Sequence, residues 1–428
     1  MEITVNRANP IRGEFRVPGD KSISHRALLL GSIAEGTTVV RNLLDSHDTQ
    51  SSIQCVQSLG IEVLHKTEET AIRGKGLYGL RQAIATLDAR NSGTTFRLLS
   101  GILAGFPFES VLTGDESLRR RPMKRIIEPL EAMGAKLQPT APANAPLTIS
   151  GKRPLRPISY TLPIPSAQVK SAILLAGLYA EGSTTVFESS PTRDHTERML
   201  GLIPVKEDGV ARITVEGGTK IPAGAFVVPG DISSALFLII AAALVPGSDC
   251  TILNVGLNPS RSHVLDVLKR SGVDVLVSDV QHERHEPQGT VRIRYSPVKN
   301  LSLHPAEVHL IIDEIPALAV LAACSGASFS VRGGAELRVK ESDRIALMVK
   351  NLRTMGIDAA EYNDGFAFEP NMDVLPARIE TGRDHRIAMA FGIAGLIIRG
   401  GIRIGDAESA DVSFPGFWKL LSSFSSHS

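Results

Sequence analysis

The sequence predicts an α/β protein of two domains, each built from three copies of one strand-and-helix unit. Three observations carry that prediction. Short polar segments open apolar helical runs near residues 20, 91, 166, 231, 313 and 384, a spacing of 71, 75, 65, 82 and 71 residues. Most units also share a closing signal, a helix stop with a glycine C-cap that leads into an alternating strand. One turn, Val17-Pro18-Gly19-Asp20, returns as Val228-Pro229-Gly230-Asp231 and divides the units into two sets of three.

The first unit opens at Pro18-Gly-Asp-Lys-Ser-Ile-Ser-His-Arg26, a turn into a helix with Asp20 or Ser22 as N-cap and Ala27, Leu28, Leu29, Leu30 and Ile33 as its apolar face. Gly36-Thr-Thr-Val-Val40 reads as its strand, and a second helix stops at Leu59-Gly60-Ile61-Glu62-Val63. The second unit runs from Asn91-Ser-Gly-Thr-Thr-Phe-Arg97 to Met133-Gly134-Ala135-Lys136-Leu137. Ser166-Ala-Gln-Val-Lys170 opens the third, Gly182-Ser-Thr-Thr-Val186 is its strand, and Leu200-Gly-Leu-Ile-Pro204 lacks a clean glycine stop. Asp231-Ile-Ser-Ser234 opens the fourth, which closes at Ser271-Gly272-Val273-Asp274-Val275. Asp313-Glu-Ile-Pro316 and Met355-Gly356-Ile357 bound the fifth. The sixth starts at Asp384-His-Arg386 and continues through Gly401-Ile-Arg-Ile404 to a helix near Phe417-Trp418. The matching turns give a first domain over 13–229 and a second over 1–12 with 230–428, with hinges near 13–19 and 227–231.

Composition narrows the function. A chain of 428 residues with 43% hydrophobic and 21% charged residues is long and apolar enough for two proper cores. Lys+Arg 46 against Asp+Glu 45 leaves no overall field for nucleic acid or an anionic membrane, and aromatics at 5% offer few stacking platforms. Cys55, Cys250 and Cys324 show no metal-ligand spacing and read as thiols of a reducing compartment. The apolar run from Ala235 to Pro246 falls short of the roughly 18 residues a membrane span needs, and Met1–Pro10 has no apolar targeting core. A cytoplasmic soluble protein is expected.

Cations gather at helix beginnings, where the dipole opposes them. Lys21 in a first turn costs a few tenths to about 1 kcal/mol, and Ser22 and Arg26 share its face. Arg119-Arg120-Arg121 precedes Pro122, a residue favoured at a first helical position, and Arg193 precedes a helix over Asp194–Leu200. Arg386 sits in the first turn of the sixth unit, and Lys340 and Arg344 are expected to repel on one helix face. Each alone reads as a solvated charge. Five together read as sites for more than one anionic group. Gly19-Asp-Lys-Ser22 is no Walker loop, since the Gly-x-x-x-x-Gly-Lys pattern is missing. The acidic candidates are Asp313, Glu314, Glu336, Glu341 and Asp343. Asp313 reads as an N-cap, whereas Glu341, between Lys340 and Arg344, suits a carboxylate tuned for proton transfer.

Seven motifs, in order along essentially the whole chain, resemble one family. They are Pro18-Gly-Asp-Lys-Ser-Ile-Ser-His-Arg26, Asn91-Ser-Gly-Thr-Thr95, Arg121-Pro-Met123, Ser166-Ala-Gln168, Arg193-Asp-His195, Arg338-Val-Lys-Glu-Ser-Asp-Arg344 and Asp384-His-Arg386. Together they resemble the 3-phosphoshikimate 1-carboxyvinyltransferases (EPSP synthases), in the class with Ser-Ala-Gln and Arg-Asp-His-Thr motifs that includes glyphosate-tolerant members. The resemblance implies two inside-out α/β domains, each of three βαββαβ repeat units (the enolpyruvyl transferase fold), with ligands in the cleft between them. It implies transfer of the enolpyruvyl group of phosphoenolpyruvate to the 5-hydroxyl of shikimate 3-phosphate in chorismate biosynthesis. It also implies no metal or organic cofactor; a monomer is expected.

By the same resemblance, Lys21, Ser22, Arg26, Ser166, Ala167 through its backbone, Gln168 and Arg193 hold shikimate 3-phosphate, together with Asp313 and Lys340. Lys21, Gly93, Arg121, Gln168, Arg344 and Arg386 hold phosphoenolpyruvate. Asp313, Glu341, Lys340 and Lys21 are the implied catalytic groups, with Asp313 taking the hydroxyl proton and Lys340 and Glu341 serving the methylene carbon. Two positions depart from the pattern: Val412 stands where many members have lysine, and Glu336 where many have asparagine. Two alternatives stay open. UDP-N-acetylglucosamine 1-carboxyvinyltransferase shares the fold and donor but typically carries a cysteine in the loop read here as Gly114-Asp-Glu-Ser-Leu-Arg-Arg-Arg121. The other is a non-catalytic anion-binding protein of the same fold.

Overall fold

The computed structural model describes residues 1–66, 68–140, 143–283 and 286–425. Their contacts form two units. Met1–Pro18, Pro229–His282 and Pro287–Ser428 make a terminal unit, and Gly19–Val228 with Glu283–Glu286 an inserted one. Residues 13–18, expected with the inserted domain, group with the terminal unit because the strand Arg12–Phe15 pairs in parallel with Asp249–Gly256.

In the inserted unit, three four-stranded sheets repeat one plan. Glu35–Arg41 pairs antiparallel with Glu69–Lys75, which pairs with Glu62–His65, while Ala225–Val227 adds a parallel edge. The second sheet is Leu87–Asp88, Glu109–Thr113, Leu147–Ser150 and Lys136–Pro139. The third is Ser159–Thr161, Ser183–Glu188, Val210–Glu216 and Val205–Glu207. In the second and third units the parallel pair brackets one helix, since parallel neighbours need a crossover and antiparallel ones do not.

Two sheets of the terminal unit follow the same plan, in the orders Arg12–Phe15, Asp249–Gly256, Glu286–Arg294, Asp274–Glu283 and Leu301–Ser302, Phe329–Val331, Gly365–Phe368, Ala359–Tyr362. The sixth has three strands, Arg378–Ile379, Ile402–Ile404 and Ile3–Val5. Strands remote in sequence thus complete three sheets: Ala225–Val227 the first, Arg12–Phe15 the fourth and Ile3–Val5 the sixth.

The core helices are the expected apolar runs, and in each unit they lie inside the sheets. Lys21–Ser32, Gly93–Ala104 and Ala167–Gly177 serve the inserted unit. Ile232–Leu244, Ile315–Cys324 and His385–Gly395 serve the terminal one. All residues of Ile232–Leu244 and of His385–Gly395 are buried, and beyond their polar first turns both helices are apolar on every side. Burying a leucine such as Leu28 or Leu29 contributes about 1.5–3 kcal/mol. The strands keep one wet face instead, as the alternating burial along Glu35–Arg41 records. A Cβ at Gly101 would lie 2.2 Å from the Ala172 carbonyl oxygen, so glycine there lets Gly93–Ala104 and Ala167–Gly177 approach backbone to backbone. Among the described residues no helix is long and apolar enough to cross a membrane.

Candidate active site

In the inserted unit, Asp20 rather than Ser22 caps the first helix, its carboxylate accepting the Ile23 N–H at 2.9 Å. Lys21 therefore occupies the first turn, and Asp48 offsets its conflict with the dipole: Nζ meets Asp48 Oδ2 at 3.0 Å. Ser22 follows and gives its carbonyl to Arg26 Nη1 at 3.0 Å. Arg26, only 3% exposed, also donates from Nε to Thr196 Oγ1 at 2.7 Å and from Nη2 to Ser171 Oγ at 2.8 Å. Burial lowers its pKa to about 10, with Glu197 foremost among the charges that oppose the fall and Arg193 adding to it. Arg193 is thus near enough to Arg26 for the two cations to repel.

A buried hydroxyl network links this helix start to the next. His25 Nδ1 lies 2.8 Å from Ser52 Oγ and 3.4 Å from Thr95 Oγ1, and Ser52 meets Thr95 at 2.7 Å. Burial, then Lys21 and Arg26, hold the His25 pKa well below the usual imidazole value, so the ring adds no third cation at neutral pH. Ser92 caps the Gly93 helix through Thr95 N–H at 3.1 Å. A Cβ at Gly93 would stand 3.0 Å from Arg97 Nη1 and 3.3 Å from Arg121 Nη1. Gln168 joins the same group, accepting from Arg97 Nη1 and donating to Thr94 Oγ1 at 3.0 Å. Arg121 Nη2 donates to Asn91 Oδ1 at 2.8 Å and to Ser117 Oγ at 3.3 Å. Gly93, Arg121 and Gln168 therefore come together, with Arg97 as a cation that motif reading missed. Ser166 Oγ caps the helix that Ala167 begins, accepting from Val169 N–H at 3.4 Å.

One sequence expectation fails here. Arg119 and Arg120 do not crowd a helix start; they lie in the last turn of Glu116–Arg120, where the dipole favours cations, and Arg121 ends it. Pro122 precedes the next helix, Lys124–Ala132, without opening it.

In the terminal unit the candidates cluster around Arg344, 1% exposed. Its Nη1 meets Asp313 Oδ1 at 3.1 Å, its Nη2 Glu341 Oε2 at 2.6 Å and its Nε Asp384 Oδ2 at 2.8 Å. Lys340 Nζ stands 3.5 Å from the same Asp313 oxygen. Burial disfavours the Arg344 charge, but Asp384, Glu341 and Asp313 outweigh it and hold its pKa above the usual guanidinium value. Asp384 has a second task, capping the sixth core helix by accepting Arg386 N–H at 2.9 Å. The Arg386 side chain is 6% exposed and has no hydrogen-bond or ion-pair partner among the described residues.

Two further expectations are corrected. Asp313 is not an N-cap: Glu314 holds that position, without a side-chain cap bond, ahead of Ile315–Cys324. Lys340 and Arg344 do not share a helix face, because Lys340 is extended after the 3₁₀ turn Ala335–Val339 and Arg344 begins Arg344–Thr354. Glu336 lies within that 3₁₀ turn and Val412 ends another, Ala407–Val412. Burial pushes the thiols of Cys55, Cys250 and Cys324 up to about 12, which removes them as nucleophiles.

Core helices enclosed by sheets, three repeats to a domain, with cations and acids at their starts, define an enolpyruvyl transferase. Residues 5–421 match the family model of EPSP synthase (3-phosphoshikimate 1-carboxyvinyltransferase), and the chain belongs to that family. A 3-phosphoshikimate 1-carboxyvinyltransferase of Salinibacter ruber is 47% identical over 426 residues, covering 99% of each chain. Another, of Alkalilimnicola ehrlichii, is 46% identical over 424 residues, 98% of this chain and 95% of the relative. A solved EPSP synthase structure from Acinetobacter baumannii aligns with TM-score 0.87 at 42% identity, covering 99% of this chain and 98% of that one.

Proposed function

We propose that this chain transfers the enolpyruvyl group of phosphoenolpyruvate to the 5-hydroxyl of shikimate 3-phosphate and releases phosphate, a step of aromatic amino acid biosynthesis. The hydroxyl oxygen bonds to C2 of phosphoenolpyruvate while C3 gains a proton. The resulting ketal-phosphate then loses phosphate from C2 and a proton from C3. Asp313 takes the hydroxyl proton, and Lys340 and Glu341 deliver and remove the C3 proton. Lys21, Ser22, Arg26, Ser166, Ala167, Gln168 and Arg193 hold shikimate 3-phosphate; Gly93, Arg121, Arg344 and Arg386, with Lys21 and Gln168, receive phosphoenolpyruvate. Guanidinium groups grip phosphate and carboxylate bidentately, and fixed cations stabilise the charge of the ketal-phosphate. The enzyme acts as a cytoplasmic monomer and uses no metal, organic cofactor, nucleic acid or membrane.

The Arg344 cluster is the observation that carries the reading. A protein that only bound anions would gain nothing from Asp313 and Glu341 beside its cations, since carboxylates repel the ligand. Proton transfer at a bound anion needs both charges. The test is phosphate release by the purified protein with both substrates present, repeated with each substrate omitted and after chelation. Release that requires both substrates and survives chelation is expected. Absence of release at saturation overturns the enzyme reading, and release only with UDP-N-acetylglucosamine as acceptor reassigns it to the sister activity.

A further inference from the structure

The inserted unit contains a buried charge cluster that none of the roles above uses. Lys170 is 0% exposed, and its Nζ lies 2.9 Å from each carboxylate oxygen of Glu188 and 2.6 Å from Glu197 Oε1. Glu188 ends the strand Ser183–Glu188 and accepts a hydrogen bond from Thr192 Oγ1 at 2.8 Å. Glu197 belongs to the helix His195–Leu200, and Lys170 to Ala167–Gly177. One ammonium therefore ties together three segments: the helix bearing Gln168 and Ser171, the strand end that leads to Arg193, and the helix bearing Thr196.

Those segments converge on Arg26. Thr196 Oγ1 accepts from Nε and lies 2.7 Å from Ser171 Oγ, which in turn accepts from Nη2. With the Ser22 carbonyl on Nη1, three of the five N–H groups of the guanidinium are held and two remain for a ligand. The plane of the guanidinium is thereby set before any anion arrives. Electrostatics agree with geometry: Glu197 is foremost among the charges that favour the Arg26 cation.

We propose that Thr196, braced by Ser171 and anchored through the Lys170–Glu188–Glu197 cluster, is a positioning residue that orients Arg26 for shikimate 3-phosphate. The inference rests on the reading of Arg26 as a ligand of that substrate. Thr196 touches no reacting atom; it acts through the arginine.

Calorimetric binding of shikimate 3-phosphate without phosphoenolpyruvate separates the possibilities, using the full chain, Thr196→Val, Thr196→Ser, Arg26→Lys and the double variant Thr196→Val/Arg26→Lys. Valine keeps the shape and removes the hydroxyl. Its expected effect is affinity about 10-fold weaker, the scale of one lost hydrogen bond to a charged group. Serine is expected to restore affinity to within about 2-fold of wild type, since it returns the hydroxyl acceptor. The two substitutions should not add in the double variant, because lysine cannot use the Nε contact. Steady-state turnover should confine the change in Thr196→Val to KM for shikimate 3-phosphate, leaving KM for phosphoenolpyruvate and kcat unchanged. Unchanged affinity in Thr196→Val, or full additivity with Arg26→Lys, overturns the inference while leaving the proposed activity intact. Failure of the wild type to bind shikimate 3-phosphate overturns both.

Discussion

At the scale of residues, one Asp313 oxygen lies between Arg344 Nη1 and Lys340 Nζ, at 3.1 and 3.5 Å. A carboxylate so placed is held in position by the two cations. Asp313→Asn keeps the shape and removes the proposed base, so kcat should fall about 100-fold or more, with little change in KM for phosphoenolpyruvate. Steady-state phosphate release checks this, and an unaltered kcat moves the hydroxyl proton to another group. His25 makes a pH prediction. Its folded pKa is lowered by burial, Lys21 and Arg26, so below about pH 6.5 the unfolded chain binds a proton that the folded one refuses. Stability is therefore complete above that pH and lost as pH falls below it. His25→Gln should flatten this loss in denaturant titrations between about pH 7 and 5; equal slopes refute it. The motif residues themselves were legible in sequence because their chemistry is unusual at helix starts. Their partners were not: Asp48, Asp384, Ser171 and Thr196 are ordinary residues, 27, 40, 145 and 170 positions from the cations they hold.

At the scale of elements, helix starts were largely readable, because a cap and its first turn are local. Asp20, Asp231 and Asp384 all cap their helices, as carboxylate residues before apolar runs should. The triple arginine misled because Pro122 suggested a start. The signal that settles it lies upstream: Asp115 accepts from Leu118 N–H at 2.8 Å and opens a short helix that the arginines close. Asp313 misled for the mirror reason, since an acid before Ile315-Pro316 resembles a cap while its carboxylate serves Arg344. The close helix pair in the inserted unit supports a prediction at this scale. Gly101→Ala drives a methyl to within 2.2 Å of the Ala172 carbonyl oxygen and must push the paired core helices apart. It should destabilise the protein by about 1–3 kcal/mol in urea unfolding, and an unchanged midpoint would show that the helices yield freely.

At the scale of the whole molecule, the two units differ in how they close their sheets. Within Gly19–Val228 every sheet finds its strands, the first taking its edge from Ala225–Val227. The terminal unit needs Ile3–Val5 and Arg12–Phe15, more than 200 residues before their partners. A fragment over 19–228 is therefore predicted to unfold cooperatively on its own. One over 229–428, stripped of residues 1–18, should expose two sheet edges and aggregate. Circular dichroism and light scattering on the two fragments check this; a monomeric, cooperative 229–428 fragment would contradict it.

The sequence by itself determined the six openings, the two matching turns and the residue types of the site, because capping, apolar runs and charge at helix ends are properties of neighbours along the chain. Tertiary structure alone decided that three sheets borrow strands remote in sequence, and which hydroxyls and acids hold each cation. The physical reason is range. A cap forms within one turn, whereas the contacts that aim Arg26 and Arg344 join segments up to 170 residues apart, and no local pattern records which of them will meet.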